Sequence, residues 1–294
     1  MEDLIKQFRI GKGKPFSLKD HNPGFSGDYK KEKAVHLLNE LREEMDALQE
    51  EMYALNKNSL LIIFQAMDAA GKDSAIEHTM SGLNPQGCQV YSFKQPSAEE
   101  LDHDFIWRHN KALPERGRIG IHNRSHYENV LVCKVHPEFV LNEGIAGIES
   151  VKDINAAFWK GRYESIRSFE KHISRNGTVI LKFFLNVSKE EQKKRFLERI
   201  DEPLKNWKFS SADIDEREKW DQYMNAYEEA IKATTEDHAP WFVIPADKKW
   251  FTRIAISRII VDTFKAMNMK LPELSESEKA RLEECRKRLM DEKL

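Results

Sequence analysis

A short apolar run that passes directly into a glycine–lysine pair places the strongest constraint on what this chain can fold into. Leu60–Gln65 has the length and composition of a buried strand. It is followed at once by Ala66-Met67-Asp68-Ala69-Ala70-Gly71-Lys72-Asp73-Ser74, and a helix is predicted over Asp73–Leu83. A helix N-terminus offers unpaired N–H groups to an anion, and Lys72 adds a positive charge. The segment therefore predicts a phosphate-binding loop, with a simple glycine turn beside a surface lysine as the alternative.

This loop departs from the usual pattern G-x-x-x-x-G-K-[ST] at two positions. Ala66 stands where the first glycine belongs, and Asp73 stands where a serine or threonine would hold Mg²⁺. Asp68 lies inside the loop and offers the hard oxygen donors that Mg²⁺ prefers. We therefore expect Asp68 to be the metal ligand, with a role in capping the following helix as the alternative. The residues expected to line the bound phosphates are Ala69, Ala70, Gly71, Asp73 and Ser74.

A second group of polar residues surrounds a predicted strand over Arg118–Asn123. This strand is followed by Arg124-Ser125-His126-Tyr127-Glu128. In an open α/β sheet, ligands bind at the carboxyl ends of the strands, so Arg124 and Glu128 are expected to face the same crevice as Lys72. Arginine suits bidentate binding of phosphate, and several cations around one phosphate would stabilise a phosphoryl-transfer transition state. Arg118 and Arg124 are both candidates for this role, with surface ion pairs as the alternative.

Strands and helices alternate along the rest of the chain, which predicts an α/β fold with a parallel sheet. The other predicted strands are Cys88–Phe93, Thr178–Asn186 and Trp241–Ile244. Further helices are predicted over Ala98–Lys111, Val151–Ser174, Lys189–Ile200, Asp213–Ala233 and Trp250–Met267, and in a charged tail from Glu273.

Residues 1–28 are predicted to form an irregular arm, and Lys30–Asn56 to form one long helix. In this helix Leu38, Leu41, Met45, Leu48, Met52 and Leu55 recur at the spacing of a heptad seam. Such a seam packs either on the helix's own domain or on a second subunit, so a homo-oligomer is a candidate assembly.

Composition excludes several classes of protein. The net charge is −2 in 294 residues, which gives no support to a non-specific nucleic-acid or membrane-surface protein. No apolar run approaches the ~20 residues of a membrane-spanning helix, and no signal region is evident. The 3 cysteines form no Cys-x-x-Cys pair, so neither a disulfide framework nor a zinc site is indicated. We therefore expect a cytoplasmic protein that binds neither membranes nor nucleic acids.

The chain resembles the family 2 polyphosphate kinases over residues 20 to 265. The motifs that carry the resemblance are Met67-Asp68-Ala69-Ala70-Gly71-Lys72-Asp73, Gly117-Arg118-Ile119-Gly120-Ile121 and Asn123-Arg124-Ser125-His126-Tyr127-Glu128, with the stretch Lys193–Arg199 to Trp207-Lys208-Phe209. The resemblance implies a three-layer fold similar to thymidylate kinase, with a helical lid. It also implies reversible, Mg²⁺-dependent transfer of the terminal phosphoryl group of polyphosphate to a nucleotide, with Mn²⁺ as an alternative ion.

The resemblance also assigns roles to residues. Asp68 and Lys72 match the catalytic loop, and the second motif is matched by Arg118, Asn123, Arg124 and Glu128. Family members often carry Asp where this chain has Asn123. Asn there, followed by His126-Tyr127-Glu128, is similar to the subgroup that accepts both nucleoside mono- and diphosphates. AMP and ADP are the expected acceptors, with GMP and GDP as further candidates.

A basic stretch between the fourth and fifth predicted strands is interpreted as a lid over the crevice. Arg199 and Lys208 are the cations expected to reach the substrate, whereas Lys193 and Lys194 fit a solvated helix face better. An aromatic side chain of this stretch, such as Trp207 or Phe209, is a candidate for stacking on the base.

One kinase domain is expected to span residues 1–294. It is divided into an arm and long helix (1–56), a core sheet (57–188 and 238–268), a lid region (189–237) and a C-terminal helix (269–294). Besides polyphosphate-dependent transfer, two other functions fit this organisation: an ATP-dependent nucleoside monophosphate kinase, or a nucleotide-binding module without catalysis. Asp73 argues against the first of these, and the density of charged residues in one crevice argues against the second.

Overall fold

A single parallel sheet forms the centre of the molecule in the computed structural model, which describes residues 6–271 and 273–292. Its strands are β1 (Ser59–Gln65), β2 (Cys88–Ser92), β3 (Ile119–Asn123), β4 (Thr178–Asn186) and β5 (Trp241–Pro245). Their order in the sheet is β2-β3-β1-β4-β5, and every pair is parallel. The predicted α/β class and parallel sheet are confirmed.

The register brings the ends of three strands to one edge. Phe64 of β1 pairs with Asn123 of β3 and with Phe183 of β4. Every residue of β1 is buried, as expected for a central strand covered on both faces. Because parallel strands end at the same edge, the loops that follow β1 and β3 meet there.

Helices cover the sheet in two groups. The longer helices are α1 (Lys31–Leu55), α2 (Lys72–Met80), α6 (Ala156–Arg175), α7 (Lys189–Asp201), α9 (Trp220–Thr234), α10 (Lys249–Ala266) and α11 (Glu276–Met290). The shorter ones are α3 (Ala98–Leu101), α4 (Trp107–Asn110), α5 (Val132–Val135) and α8 (Ala212–Glu218). Helices α1 and α2 pack with α10, whereas α9 packs with α5 and α6. The three-layer arrangement is therefore confirmed.

The heptad seam of α1 faces the rest of the chain. Leu41, Met45 and Met52 are buried, and Leu38 and Leu48 pack against the same core. Helix α1 lies along α10. The seam therefore packs on its own domain, which is the first of the two alternatives.

The N-terminal arm is irregular, as predicted, but residues 6–28 are not detached from the domain. Phe8 and Ile10 are buried. The N–H of Ile10 donates to the carbonyl of Trp241 at 2.9 Å, and the N–H of Val243 donates to that of Phe8 at 2.9 Å. The arm thus covers the exposed edge of β5, which protects it from pairing with other chains. Residues 1–5 of the predicted arm lie outside the described residues.

Three predicted helices differ from the structure. The helix expected over Ala98–Lys111 is two short helices, because the side chain of Asp104 accepts from the N–H of Ile106 at 2.9 Å and forms a turn between them. The helix expected from Val151 begins only after Asn155, whose side chain caps it. The helix expected over Asp213–Ala233 is interrupted at Lys219, between α8 and α9.

Two further findings bear on the expectations from composition. Among residues 6–271 and 273–292, no helix has both the length and the apolar character that a membrane crossing requires. Cys88, Cys133 and Cys285 are free thiols.

Candidate active site

The loop between β1 and α2 adopts a tight, partly left-handed backbone. Gly71 has φ 103° at the N-cap of α2, and Ala69 has φ 58°, which is uncommon for a residue with a side chain. Lys72 is buried, and its Nζ donates to the carbonyl of Ala66 at 2.7 Å. Burial lowers the pKa of Lys72, while the charge of Asp68 opposes that shift. The N-terminus of α2 and a buried cation therefore face the same point, which is the arrangement a phosphate requires.

Asp68 pairs with Arg124 instead of capping the helix. Among the residues that the structure describes, no side chain caps α2, whereas Asp68 Oδ1 lies 3.1 Å from Arg124 Nη2. Arg124 has φ 64°, a strained value for this residue type, and its N–H donates to the carbonyl of Phe64 at 3.1 Å. The capping alternative for Asp68 is wrong. The end of β3 instead places a guanidinium directly against the phosphate loop.

Glu128 completes this group of charges. Burial raises the pKa of Glu128, whereas the positive charges of Arg124 and Lys72 act to lower it. For Arg124, burial acts to lower the pKa, but the charges of Glu128 and Asp68 outweigh it and raise that pKa. The structure therefore brings Asp68, Lys72, Arg124 and Glu128 together, two cations with two carboxylates.

The remaining loop residues hold the two strand ends together. Asn123 Nδ2 donates to Asp73 Oδ1 at 2.6 Å, so the residue that replaces the usual loop hydroxyl is bonded to the end of β3. Arg253 of α10 donates to Ser74 Oγ at 2.8 Å. Asp73 and Ser74 thus lie beside the loop, as predicted, but both side chains already have protein partners.

Arg118 does not join this group, so the prediction that it lies in one crevice with Lys72 and Arg124 is wrong. It precedes β3, whereas Arg124 follows it, and the strand separates the two edges by about 16 Å at ~3.3 Å per residue. The guanidinium of Arg118 stacks on the ring of Tyr53, 4.0 Å away, near the end of α1.

The predicted lid region (189–237) contains α7, a 3₁₀ helix over Pro203–Lys208, α8 and α9. Arg199 Nη1 lies 3.7 Å from Asp213 Oδ2 and donates to the carbonyl of Lys208 at 3.3 Å. Burial raises the pKa of Asp213, and the charge of Asp68 adds to that shift, so the two carboxylates are close enough to interact electrostatically. The side chain of Lys208 is exposed beside Trp207. Sequence reasoning missed Asp213, which no local motif distinguishes from its acidic neighbours.

The two aromatic side chains of the lid differ in their surroundings. Phe209 packs edge-on against Phe196, with ring centroids 6.2 Å apart. Trp207 is 78% exposed. Trp207 is therefore the one that is free to contact a ligand.

Sequence reasoning also missed two residues of α7 that bond to the phosphate loop from outside. Gln192 Nε2 donates to the carbonyl of Asp68 at 2.9 Å. Arg195 Nη1 donates to the carbonyls of Ala69 and Ala70, at 3.1 and 2.7 Å. Arg195 lies in a basic run that is typical of a solvated surface, yet it is only 4% exposed.

A buried ion pair lies behind Arg124 and Glu128. Lys182 Nζ of β4 donates to Glu170 Oε2 at 2.7 Å, to Tyr127 Oη at 2.9 Å and to the carbonyl of Thr234 at 2.8 Å. Tyr127 Oη in turn donates to Glu170 Oε1 at 2.7 Å. This network ties the 3₁₀ helix over His126–Val130, which carries Glu128, to the sheet and to α6.

The donor set for a metal ion is small. Within residues 6–271 and 273–292, no three His, Cys, Asp or Glu side chains are grouped so that they could hold a metal by themselves. Mg²⁺ commonly binds through one or two carboxylates together with waters and substrate phosphates. Asp68, partly exposed at the mouth of the loop, fits that mode of binding.

A family model described as polyphosphate kinase 2 matches residues 28–272. Among curated proteins, the ADP-polyphosphate phosphotransferase of Rhodopseudomonas palustris is 48% identical over 291 residues, 99% of this chain and 100% of that protein. The AMP/ADP-polyphosphate phosphotransferase of Meiothermus ruber is 39% identical, over 92% of this chain and 96% of that protein.

A solved structure agrees with these matches. The crystal structure of polyphosphate kinase 2 from Arthrobacter aurescens superimposes with a TM-score of 0.84 at 37% identity, covering 95% of this chain and 96% of that one. Sequence and three-dimensional comparisons therefore point to the same family.

Proposed function

This chain belongs to the polyphosphate kinase 2 family, and we propose that it transfers the terminal phosphoryl group of inorganic polyphosphate to a nucleoside mono- or diphosphate, reversibly. The observation that carries this proposal is the contact of Asp68 with Arg124 across the mouth of a loop whose Lys72 is buried. It joins an acidic group, a guanidinium and a helix N-terminus at the carboxyl edge of one sheet. That combination suits a reaction between two polyanions.

The residues of the site act mainly by position and charge. Lys72 and the N-terminus of α2 hold the phosphate that is transferred, and Arg124 stabilises the charge that develops on its oxygens. The P–O bond to the polyphosphate chain breaks as a new P–O bond forms to a terminal phosphate oxygen of the acceptor. The shortened polyphosphate leaves as the anion. Direct in-line transfer needs no phosphorylated side chain.

We propose that Mg²⁺ binds at Asp68 together with substrate phosphate oxygens, with Mn²⁺ as an alternative ion. The ion would neutralise charge on those oxygens. Asp68 Oδ1 accepts from Arg124, which leaves the second carboxylate oxygen for the ion. Asp213, whose pKa is raised in part by the charge of Asp68, is a further carboxylate that would assist it.

The acceptor is expected at the side of Arg124 that carries Asn123 and Glu128. The names of the two relatives reported above include ADP in one case and both AMP and ADP in the other. The hydrogen bond from Asn123 to Asp73 joins the second motif to the phosphate loop. We propose AMP and ADP as acceptors, with GMP and GDP as further candidates.

Arg199, Lys208 and Trp207 are proposed to contact substrate from the lid. Arg199 and Arg124 each have a carboxylate partner, Asp213 and Asp68 respectively. A phosphate chain that enters between them would replace these partners. Exclusion of water by the lid would then favour transfer to the acceptor over hydrolysis.

The two alternative functions have less support. An ATP-dependent nucleoside monophosphate kinase would be expected to keep the loop hydroxyl that Asp73 replaces, and the names of the relatives specify polyphosphate. A binding module without catalysis would not explain why the charged side chains of Asp68, Lys72 and Arg124 are grouped in one crevice. We further propose that the enzyme is cytoplasmic and that it binds neither nucleic acids nor membranes. A homo-oligomer is a candidate assembly.

The test is an assay of polyphosphate with AMP or ADP, each supplied with Mg²⁺ and no other nucleotide. We expect ADP and then ATP from AMP, and ATP from ADP. The variant K72A serves as the control for contaminating kinases and should form at most about 1% of the product, the scale of losing one electrostatic group. If ADP forms from AMP with ATP as the donor, and no product forms from AMP or ADP with polyphosphate as the donor, the result would favour the monophosphate kinase instead.

A further inference from the structure

Three consecutive carbonyls of the phosphate loop turn towards α7. Gln192 donates to the carbonyl of Asp68, and Arg195 donates to those of Ala69 and Ala70. The other terminal nitrogen of Arg195, Nη2, donates to the carbonyls of Ala246 and Asp247 after β5, at 2.7 and 3.1 Å. Helix α7 therefore fixes the outer face of the loop.

The direction of these carbonyls determines where the N–H groups point. In a planar trans peptide the carbonyl of one residue and the N–H of the next lie on opposite sides. The carbonyls of Asp68 and Ala70 face α7, so the N–H groups of Ala69 and Gly71 face away from it, towards the open side of the loop. Within the part of the chain that the structure describes, neither N–H has a hydrogen-bond partner. The intervening N–H of Ala70 donates to the carbonyl of Met67 at 3.2 Å and closes a turn.

Gln192 is itself held in one orientation. Arg217 of α8 donates to Gln192 Oε1 at 2.6 Å and to the carbonyl of Lys189 at 2.9 Å. Because the oxygen of the amide is bonded to Arg217, its nitrogen must face the loop. The position of α8 is thereby linked, through Gln192, to the backbone of the phosphate loop.

We propose that Gln192 and Arg195 are positioning residues that aim the N–H groups of Ala69 and Gly71 at a phosphate of the polyphosphate donor, and that Arg217 acts through Gln192. In this role, neither Gln192 nor Arg195 touches the substrate itself. The left-handed backbone at Ala69, which is costly for a residue with a Cβ, is kept in place by these bonds. This inference rests on the proposed binding of polyphosphate at the loop.

Binding of tripolyphosphate tests the proposal without requiring turnover. The variant Q192E keeps an oxygen for Arg217 but replaces the donor to Asp68 with an acceptor. R195K keeps the charge but cannot bridge the two pairs of carbonyls. We expect Kd for tripolyphosphate to rise about tenfold or more in each variant, with Kd for AMP little changed, because the oriented N–H donors are proposed to act on the polyphosphate donor and not on the acceptor. The matched control is K193A, an exposed lysine on the same helix, which should leave both constants unchanged.

A double-mutant comparison of Q192A, R217A and Q192A/R217A tests the relay. If Arg217 acts through Gln192, the double variant binds tripolyphosphate no more weakly than Q192A alone. Additive losses would overturn the relay. The positioning role is overturned if Q192E binds tripolyphosphate within twofold of the wild type, or if its affinity for AMP falls by the same factor. If the wild type binds tripolyphosphate but makes no product from it, the proposed function fails while the positioning role stands.

Discussion

Removal of the buried lysine of β4 should destabilise the protein severely. Lys182 and Glu170 both have fully buried side chains, and Lys182 Nζ donates to Glu170, Tyr127 and Thr234. In K182M, Glu170 loses its lysine and keeps the hydroxyl of Tyr127 at 2.7 Å and the more distant ring of His126 at 3.5 Å. Burial alone would raise the pKa of Glu170, and it is chiefly the charge of Lys182 that lowers it. The variant must therefore bury an uncompensated carboxylate or bind a proton there.

We expect a loss of about 3–5 kcal/mol in the free energy of unfolding, the range found when one partner of a buried pair is removed. The double variant E170Q/K182M removes both charges and should recover most of that loss. Urea denaturation followed by circular dichroism measures both, and K194M, an exposed lysine variant, is the matched control. A loss of less than about 1 kcal/mol in K182M, or a double variant no more stable than the single one, would refute the reasoning.

Three further predictions concern the seam, the acid limit and the salt dependence. M45D places a carboxylate in the buried seam of α1 and should unfold the protein at 25 °C, whereas V35D at an exposed position of the same helix should not; circular dichroism distinguishes them. Burial lowers the pKa of His122 from 6.5 to about 4, so its contribution to stability is present above pH 6.5 and is lost as the pH falls towards 4. H122Q should therefore show a shallower loss of unfolding free energy in that window, by up to about 1.4 kcal/mol per pH unit, and an unchanged slope would contradict the assignment. Polyphosphate bound by Lys72 and Arg124 releases counterions, so its apparent affinity should fall more steeply with salt than that of AMP; equal slopes in titrations would contradict this.

The core of the fold could be predicted because its signals are local. Thr178–Asn186 is a strand over its full predicted length, and the loop from Ala66 to Ser74 lies between a strand and a helix as expected. Asp68, Lys72, Arg124 and Glu128 meet because each follows, or lies near, the carboxyl end of a parallel strand. Their meeting could be predicted because the carboxyl ends of parallel strands always lie at the same edge of the sheet.

The misses came from contacts between distant segments and from one error of direction. Arg118 precedes β3, so it must lie at the edge of the sheet where the strands begin. Its place beside a motif in the sequence was therefore not enough to make it part of the site. Arg195 bonds to carbonyls that lie 126 and 125 residues earlier in the chain, and no local pattern distinguishes it from Lys193 and Lys194. The break between α3 and α4 depends on one side-chain bond of Asp104 that competes with the helix.

The substitution D68N tests most directly whether Asp68, Lys72 and Arg124 form a phosphoryl-transfer site. Asn keeps the shape of Asp68 and an oxygen that can accept from Arg124, but it removes the charge proposed to attract Mg²⁺. Both partners are partly exposed, so the stability of the fold should change little. We predict a melting temperature near that of the wild type, with kcat for polyphosphate and ADP lower by about 10²-fold or more. A kcat within a few-fold of the wild type at saturating Mg²⁺ would contradict the account, because Asp68 would then be a structural residue and the metal would be held elsewhere.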